Sequence, residues 1–241
     1  MPQKTNVVLV HGAWADGSSW SKVIPLLQQR SLNVTAAQIP LTSLSDDIAV
    51  TRNLLAKQKG PTVLVGHSYA GVVISGAAND APNVQALVYI AAFGLDEGES
   101  INALSKQGSA PAGAAAVLPP DNQGFLWIDR DGFPNAFAAD VDPVEARVMA
   151  AVQKPLSINS FTATSGPPAW KHIRSWYMVA TQDQMIPPQA GEFMAKRMGA
   201  EVRKVASSHA AMVSHPKEVA DLITLAADTM ADATQSTRVS A

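Results

Sequence analysis

Between Thr62 and Ile74 the chain reads Thr-Val-Leu-Val-Gly-His-Ser-Tyr-Ala-Gly-Val-Val-Ile. This sets Ser68 among small residues, with a β-branched apolar run before it and an Ala/Val-rich run after it. A strand that turns sharply into a helix at such a serine lifts the hydroxyl above a sheet, at the positive end of the helix. The chemistry on offer is nucleophilic attack by Ser68. Gly66 and Ala70 are expected where strand and helix cross closely, Ala70 standing where a second glycine is commoner.

A serine hydroxyl is a poor nucleophile near neutral pH, so it needs a base within hydrogen-bond reach. Of five histidines, His209 is placed best, because Val205-Ala206-Ser207-Ser208-His209 lies between the last predicted strand and the last helix. His215, in Ser-His-Pro, is its competitor and reads more simply as a surface residue of a helix start. His11 reads as a hydrogen-bonding residue of the turn after the first strand, His67 as directed away from the serine, and His172 as part of a polar turn. A neutral imidazole must be held in one tautomer, and the imidazolium needs a carboxylate. Asp183 lies just past the apolar run Trp176–Ala180, at the sheet edge where open α/β sheets gather their functional groups. Asp96 is the rival acid, although Asp96-Glu97-Gly98-Glu99 reads as a solvated acidic run.

Attack on a carbonyl also needs two N–H donors for the oxyanion, and losing one costs about 3 kcal/mol. Tyr69, at the start of the nucleophile helix, is one candidate. Ala13, in His11-Gly12-Ala13-Trp14 after the first strand, is the other. The glycines of Gly-Ala-Trp-Ala-Asp-Gly-Ser lack dinucleotide-binding spacing, so no nucleotide cofactor is expected, and no metal site is read from the sequence.

These residues need a scaffold. Short β-branched runs alternate with amphipathic stretches, as expected of parallel strands covered by helices on both faces. Strands are expected at Asn6–Val10, Asn33–Ile39, Thr62–Val65, Ala86–Ala91, Ser175–Ala180 and Val202–Val205. One helix is expected to start at an N-cap on Ser45, with Asp46 and Asp47 in its first turn and Ile48, Leu54 and Leu55 facing inward. Another is expected from Pro216, burying Val219, Leu222, Ile223 and Ala226, with a frayed polar tail over 231–241.

The alternation breaks over 94–170. That stretch holds eight of the 16 prolines and carries nine acidic against four basic residues. With six aromatics of its own it is expected to form an inserted, partly helical lid, including a helix capped by Asp142 with Pro143 in its first turn. The remainder, 1–93 and 171–241, forms the expected core.

The chain has 241 residues, 47% of them hydrophobic, a formal net charge of −2 and no cysteine. That length supports a large core without disulfides. The balanced charge offers no field for nucleic acid or anionic lipid. No apolar run reaches a membrane span or a signal-peptide core, so a cytoplasmic protein is expected. Thiol catalysis and Cys-ligated zinc are excluded. Nothing in the sequence sets an oligomeric state.

With Val-His-Gly-Ala-Trp, Gly-His-Ser-Tyr-Ala-Gly, Thr-Gln-Asp-Gln-Met-Ile-Pro-Pro and Ser-Ser-His-Ala-Ala-Met-Val-Ser-His-Pro in this order, the chain resembles the α/β-hydrolase superfamily. Within it, the likeness is to small bacterial esterase-type hydrolases related to plant methyl esterases and hydroxynitrile lyases. The order serine, acid, histidine is that of the superfamily. The resemblance implies an α/β-hydrolase fold with a mostly parallel sheet of about six strands and a catalytic triad of Ser68, His209 and Asp183. It also implies an oxyanion hole at Ala13 and Tyr69. Dehalogenases and epoxide hydrolases of the superfamily carry aspartate where Ser68 stands, and the plant lyases carry lysine where Ala210 follows His209.

The expected activity is therefore that of a serine carboxylesterase acting on small or medium neutral esters or lactones. The pocket is expected from Trp14, Tyr69, Phe125, Trp127, Phe137 and Phe161. A ligand-binding receptor on the same fold, and lyase or cofactor-free haloperoxidase activity, are the alternatives.

Overall fold

The structure is a computed structural model that describes residues 4–107 and 110–239, with 232–239 as backbone only. Six strands form one sheet: β1 (Asn6–Val10), β2 (Asn33–Ala36), β3 (Thr62–His67), β4 (Val84–Ile90), β7 (Ser175–Ala180) and β8 (Glu201–Val205). Between β4 and β7 the chain adds two short strands, β5 (Phe125–Leu126) and β6 (Leu156–Ser157), which pair antiparallel with each other. The helices in chain order are α1 (Val23–Gln29), α2 (Leu44–Leu55), α3 (Ala70–Ala77), α4 (Ile101–Ser105), α5 (Phe133–Phe137) and α6 (Pro143–Val152). They continue with α7 (Ile158–Thr162), α8 (Pro188–Arg197), α9 (Ala211–Ser214) and α10 (Pro216–Val239). Among the described residues no helix is long and apolar enough to cross a membrane.

Strand order in the main sheet is β2-β1-β3-β4-β7-β8, and every neighbouring pair is parallel. All carboxyl ends therefore meet at one edge. Leaving β1 the chain turns to β2 on one side, then crosses back to β3 on the other. Right-handed crossovers consequently put α1 and α2 on opposite faces. The reversal opens a crevice between the loops after β1 and β3, where ligands of such sheets bind. The central strands have no exposed face, which is why β1, β3 and β7 each carry a near-continuous apolar run and bury every residue.

The strands fall where the sequence puts them, with shifted ends. β2 stops at Ala36 rather than Ile39, β3 runs on to His67, and β4 spans Val84–Ile90. The N-cap of α2 is Ser43, not Ser45: the Ser43 hydroxyl accepts from the Asp46 amide, and Ser45 is exposed on the helix surface. Of the two first-turn acids, Asp46 faces water, whereas Asp47 is buried on the same face as Leu44, Thr51 and Leu55. Asp142 caps α6 by accepting from the Val144 and Glu145 amides, with Pro143 in the first turn. The long helix α10 buries Val219, Leu222, Ile223 and Ala226. Its backbone stays helical to Val239 instead of fraying from Ala231, and Ser240 and Ala241 lie outside the described residues.

Segment 94–170 carries α4 to α7 and the β5–β6 pair. Its acidic opening is not simply solvated. Glu99 takes a two-pronged bond from Arg197 at 2.7 and 2.8 Å, and Asp96 pairs with Lys171 at 2.5 Å, so charges of the segment are matched by cations of the core.

β3 and α3 cross tightly against the loop after β4. A methyl group on Gly71 would stand 2.4 Å from the Phe93 carbonyl oxygen, whereas one on Gly166 would meet nothing within 4 Å. Gly71→Ala is expected to lose at least about 2 kcal/mol through overpacking against backbone. Gly166→Ala should stay within about 1 kcal/mol of the parent. Urea unfolding of both variants checks the contrast, and equal midpoints would refute it.

Candidate active site

The turn out of β3 places Ser68 at φ 54°, in the left-handed region that costs an L-residue about 1–2 kcal/mol. Three backbone bonds hold it there. Its amide donates to the Ile90 carbonyl at 3.2 Å, and its carbonyl accepts from Gly71 and Phe93, each at 3.0 Å. A Cβ on Gly66 would lie 2.7 Å from the Ala70 carbonyl oxygen, so this position must stay bare. Ala70 keeps its methyl in the core, and the second position that must lack one is Gly71. The position is one residue after Ala70, where the sequence pattern puts it.

The loop after β1 presses directly on this turn. A Cβ on Gly12 would come 2.8 Å from the Ser68 Cβ, which brings the next residue, Ala13, beside the serine. Neither the Ala13 amide nor the Tyr69 amide donates to any acceptor among the described residues. Unpaired buried N–H groups are rare, so two of them flanking one serine form a distinct polar spot.

His209 lies in the loop between β8 and α9 and is fully buried. Its Nδ1–H donates to Asp183 Oδ2 at 2.7 Å. The other Asp183 oxygen, Oδ1, accepts from the Met185 and Ile186 amides at 2.7 and 3.0 Å. A carboxylate so held is acceptor-only and keeps the imidazole proton on Nδ1. Nε2, with its lone pair, has no hydrogen-bond partner among the described residues.

His67 joins the two halves. It precedes Ser68 directly, its Nε2–H donates to the His209 carbonyl at 2.9 Å, and the two rings lie 4.7 Å apart. Burial, followed by the field of His209, holds its pKa well below the ordinary histidine range. It is neutral and tied to the histidine loop. The remaining histidines are accounted for elsewhere. His11 donates through Nδ1 to the Gly12 carbonyl at 2.9 Å and accepts the Ile39 amide on Nε2 at 3.2 Å. His172 is exposed, and His215 pairs with Ser214 and Asp140. The rival acid Asp96 is taken by Lys171 and the Glu97 amide.

Ser68 opens onto a cavity of about 330 Å³ whose floor is Ala13, Trp14, Tyr69, Met185 and Ile186. Ten of its seventeen lining residues come from segment 94–170, among them Ile101, Leu126, Ile158 and Phe161. No ionisable group other than the Tyr69 phenol is among them. Of the six aromatics proposed from sequence, Trp14, Tyr69 and Phe161 line the cavity. Phe125 and Trp127 do not, because alternation along β5 turns Leu126 inward and its neighbours away; the Trp127 indole N–H instead reaches Asp121 at 3.0 Å. Phe137 lies behind the site, edge-on to His209 at 4.8 Å, where it shields the imidazole.

Asp47 was missed as a site neighbour. Its Oδ2 accepts the Tyr69 phenol O–H at 2.6 Å and its Oδ1 the Leu41 amide at 2.7 Å. Burial pushes its pKa up to about 6, against the pull of those two bonds. The available signal was its place on the inward face of α2, in helical register with Leu44, Thr51 and Leu55.

A family model described as the alpha/beta hydrolase family matches residues 7–222. The carbendazim hydrolyzing esterase of a Nocardioides species is 34% identical over 126 residues, covering 47% of this chain and 52%, about half, of that protein. The pyrethroid hydrolase of Sphingobium wenxiniae is 26% identical over 260 residues, covering 96% of this chain and 91% of that one. A solved pyrethroid hydrolase from Sphingobium faniae has the same fold, with a TM-score of 0.82 at 24% identity, covering 95% of this chain and 100% of the other.

Burial holds the His11 pKa near 4, below its ordinary 6.5, so the folded chain keeps this ring neutral. The stability linked to it is complete above pH 6.5 and is lost as pH falls through about 4, about 3 kcal/mol in all. Asp47, with its raised pKa, opposes part of that loss. His11→Gln should be less stable than the parent at pH 7.5 yet lose less on going to pH 4.5. Urea midpoints at both pH values check this, and parallel losses would refute it.

Proposed function

The chain belongs to the alpha/beta hydrolase family, and on that footing we propose that it is a serine carboxylesterase acting through an acyl-enzyme on Ser68. The observation that carries the reading is the orientation of His209. With Nδ1–H committed to Asp183, its buried Nε2 is left as an acceptor, on a loop tied to His67, the residue next to the serine.

As Ser68 Oγ attacks the ester carbonyl carbon, its proton passes to His209 Nε2, and Asp183 stabilises the resulting imidazolium. The carbonyl π electrons move onto oxygen, where the unpaired Ala13 and Tyr69 amides receive the charge. Collapse of the tetrahedral species breaks the bond to the alkoxy oxygen, which takes the proton from Nε2 and leaves as the alcohol. Water then repeats the sequence on the acyl group, returning Ser68 and releasing the acid.

The cavity supports the substrate class. Its lining is apolar, so an anionic or cationic substituent would lose hydration without gaining a partner. A neutral ester or lactone of small to medium size fits it, with segment 94–170 serving as the lid. The names of the two sequence relatives, an esterase and a hydrolase, agree with ester cleavage.

The purified chain should hydrolyse p-nitrophenyl acetate or butyrate. Ser68→Ala and His209→Ala should each lower kcat by several orders of magnitude, on the order of 10⁴, with unchanged circular dichroism. Full turnover by Ser68→Ala would overturn the proposal. Full turnover by His209→Ala, together with loss in His215→Ala, would move the base to His215.

A further inference from the structure

The buried carboxylate of Asp47 has no part in the mechanism above. Asp47 is fully buried in the first turn of α2, and Lys154, the cation whose field reaches it, places its ammonium on the Ile39 carbonyl instead. A buried carboxylate is costly unless well partnered, and an apolar side chain on this face of α2 would pack without that cost. Stability therefore gives no reason for the acid. Its two bonds do, because of what they connect.

One bond runs to the Tyr69 phenol. Tyr69 follows the nucleophile, occupies the N-cap position of α3 and carries one of the two unpaired amides. The other bond runs to the Leu41 amide. Leu41 is held at φ 62°, and its carbonyl accepts the Ser157 amide of β6 at 2.9 Å, between the cavity-lining residues Leu156 and Ile158. A single carboxylate thus links the turn under the cavity to the strand over it.

We propose that Asp47 is a positioning residue: through the Tyr69 phenol it holds the Tyr69 amide on the oxyanion, and through Leu41 it anchors that hold to the lid's attachment. This rests on the esterase reading, in which Tyr69 N–H is an oxyanion donor. A phenol pinned at its far end fixes the ring and limits rocking of the peptide that carries the amide. A misplacement of about 1 Å at a reacting centre costs about 100-fold in rate. The amide meets full negative charge only in the tetrahedral species, so loosening it lowers kcat and leaves KM nearly unchanged.

The test is steady-state hydrolysis of p-nitrophenyl butyrate by the parent, Asp47→Asn, Tyr69→Phe and the double variant. Affinity for an aryl trifluoromethyl ketone, whose adduct on Ser68 carries the oxyanion, is measured alongside. Each single variant is expected to lose about 10- to 100-fold in kcat with KM within about twofold. Ketone affinity should fall by the same factor, and the double variant should be no worse than the poorer single. Asp46→Asn, on the exposed side of the same turn, should keep the parental kcat. If Asp47→Asn does not fold, Tyr69→Phe decides alone, since it keeps the carboxylate and removes only the link. Parental kcat and ketone affinity in the folded variants, or a loss confined to KM or to melting temperature, would overturn the proposal while leaving the esterase reading intact. A parent that turns over no ester would overturn both.

Discussion

Passing from a central strand into a helix through a residue at φ 54° is the constraint on which the site depends. Such a turn persists only where the surroundings over-determine it. Three backbone bonds to Ser68 do so, and they can form only because the chain passes at distances that exclude a side chain at Gly66 and Gly71. The loop after β1 closes the third side through Gly12. The strand order adds the long-range half of the constraint, because reversing direction between β2 and β3 makes the loops after β1 and β3 neighbours across the crevice. Serine, two free amides and a helix start then share one place as a consequence of backbone packing.

The polar groups around this turn are ordered by hydrogen bonds whose directions leave little freedom. Asp183 receives two amides on one oxygen and His209 on the other, and a carboxylate has no proton to donate, so it meets only the imidazole tautomer that carries its proton on Nδ1. His67 must donate from Nε2, since its partner is a carbonyl, and its Nδ1 then faces the Gly12 backbone as a neutral acceptor. His11 is held neutral by the same logic, one nitrogen donating and the other accepting. Burial depresses the pKa of both rings. The region therefore holds two neutral imidazoles without adding positive charge beside the Asp183–His209 pair.

Much of this was legible in the sequence because its signals are local. The apolar strand, the small residues around Ser68 and the helix after it are contiguous, and the acid and the histidine each follow a strand of the same sheet. What escaped depends on contacts between distant segments. Asp46 and Asp47 are equivalent as first-turn acids, and only the rotation of α2 sends one to water and the other under Tyr69. Starting α2 at Ser43 rather than Ser45 turns on a difference of two residues between similar caps. The acids at 96 and 99 looked solvated because their cations, Lys171 and Arg197, are far along the chain. Phe125 and Trp127 were plausible wall residues until β5 paired with β6 and fixed which face turned inward. A strand of two residues carries too short a pattern to announce its register.

The apolar cavity sets the terms on which the proposed chemistry works. Charge developing on a carbonyl oxygen there is poorly screened by water, so two fixed amide dipoles stabilise it more than they would in solvent, and they need no reorganisation when it appears. The same surroundings make binding and orientation separate matters. Burial of the acyl and alkoxy groups against Ile101, Leu126, Ile158 and Phe161 is non-directional and contributes about 25 cal/mol for each Å² removed from water. Direction must come from the few polar groups on the lining, and with the Tyr69 phenol tied to Asp47 the donors left beside Ser68 are the two amides. A neutral ester has one strong acceptor to offer them, its carbonyl oxygen. Wherever the apolar parts settle, placing that oxygen on the amides presents the carbonyl carbon to Ser68. Selectivity among esters then lies in the shape of the roof, while the chemistry stays with the turn beneath it.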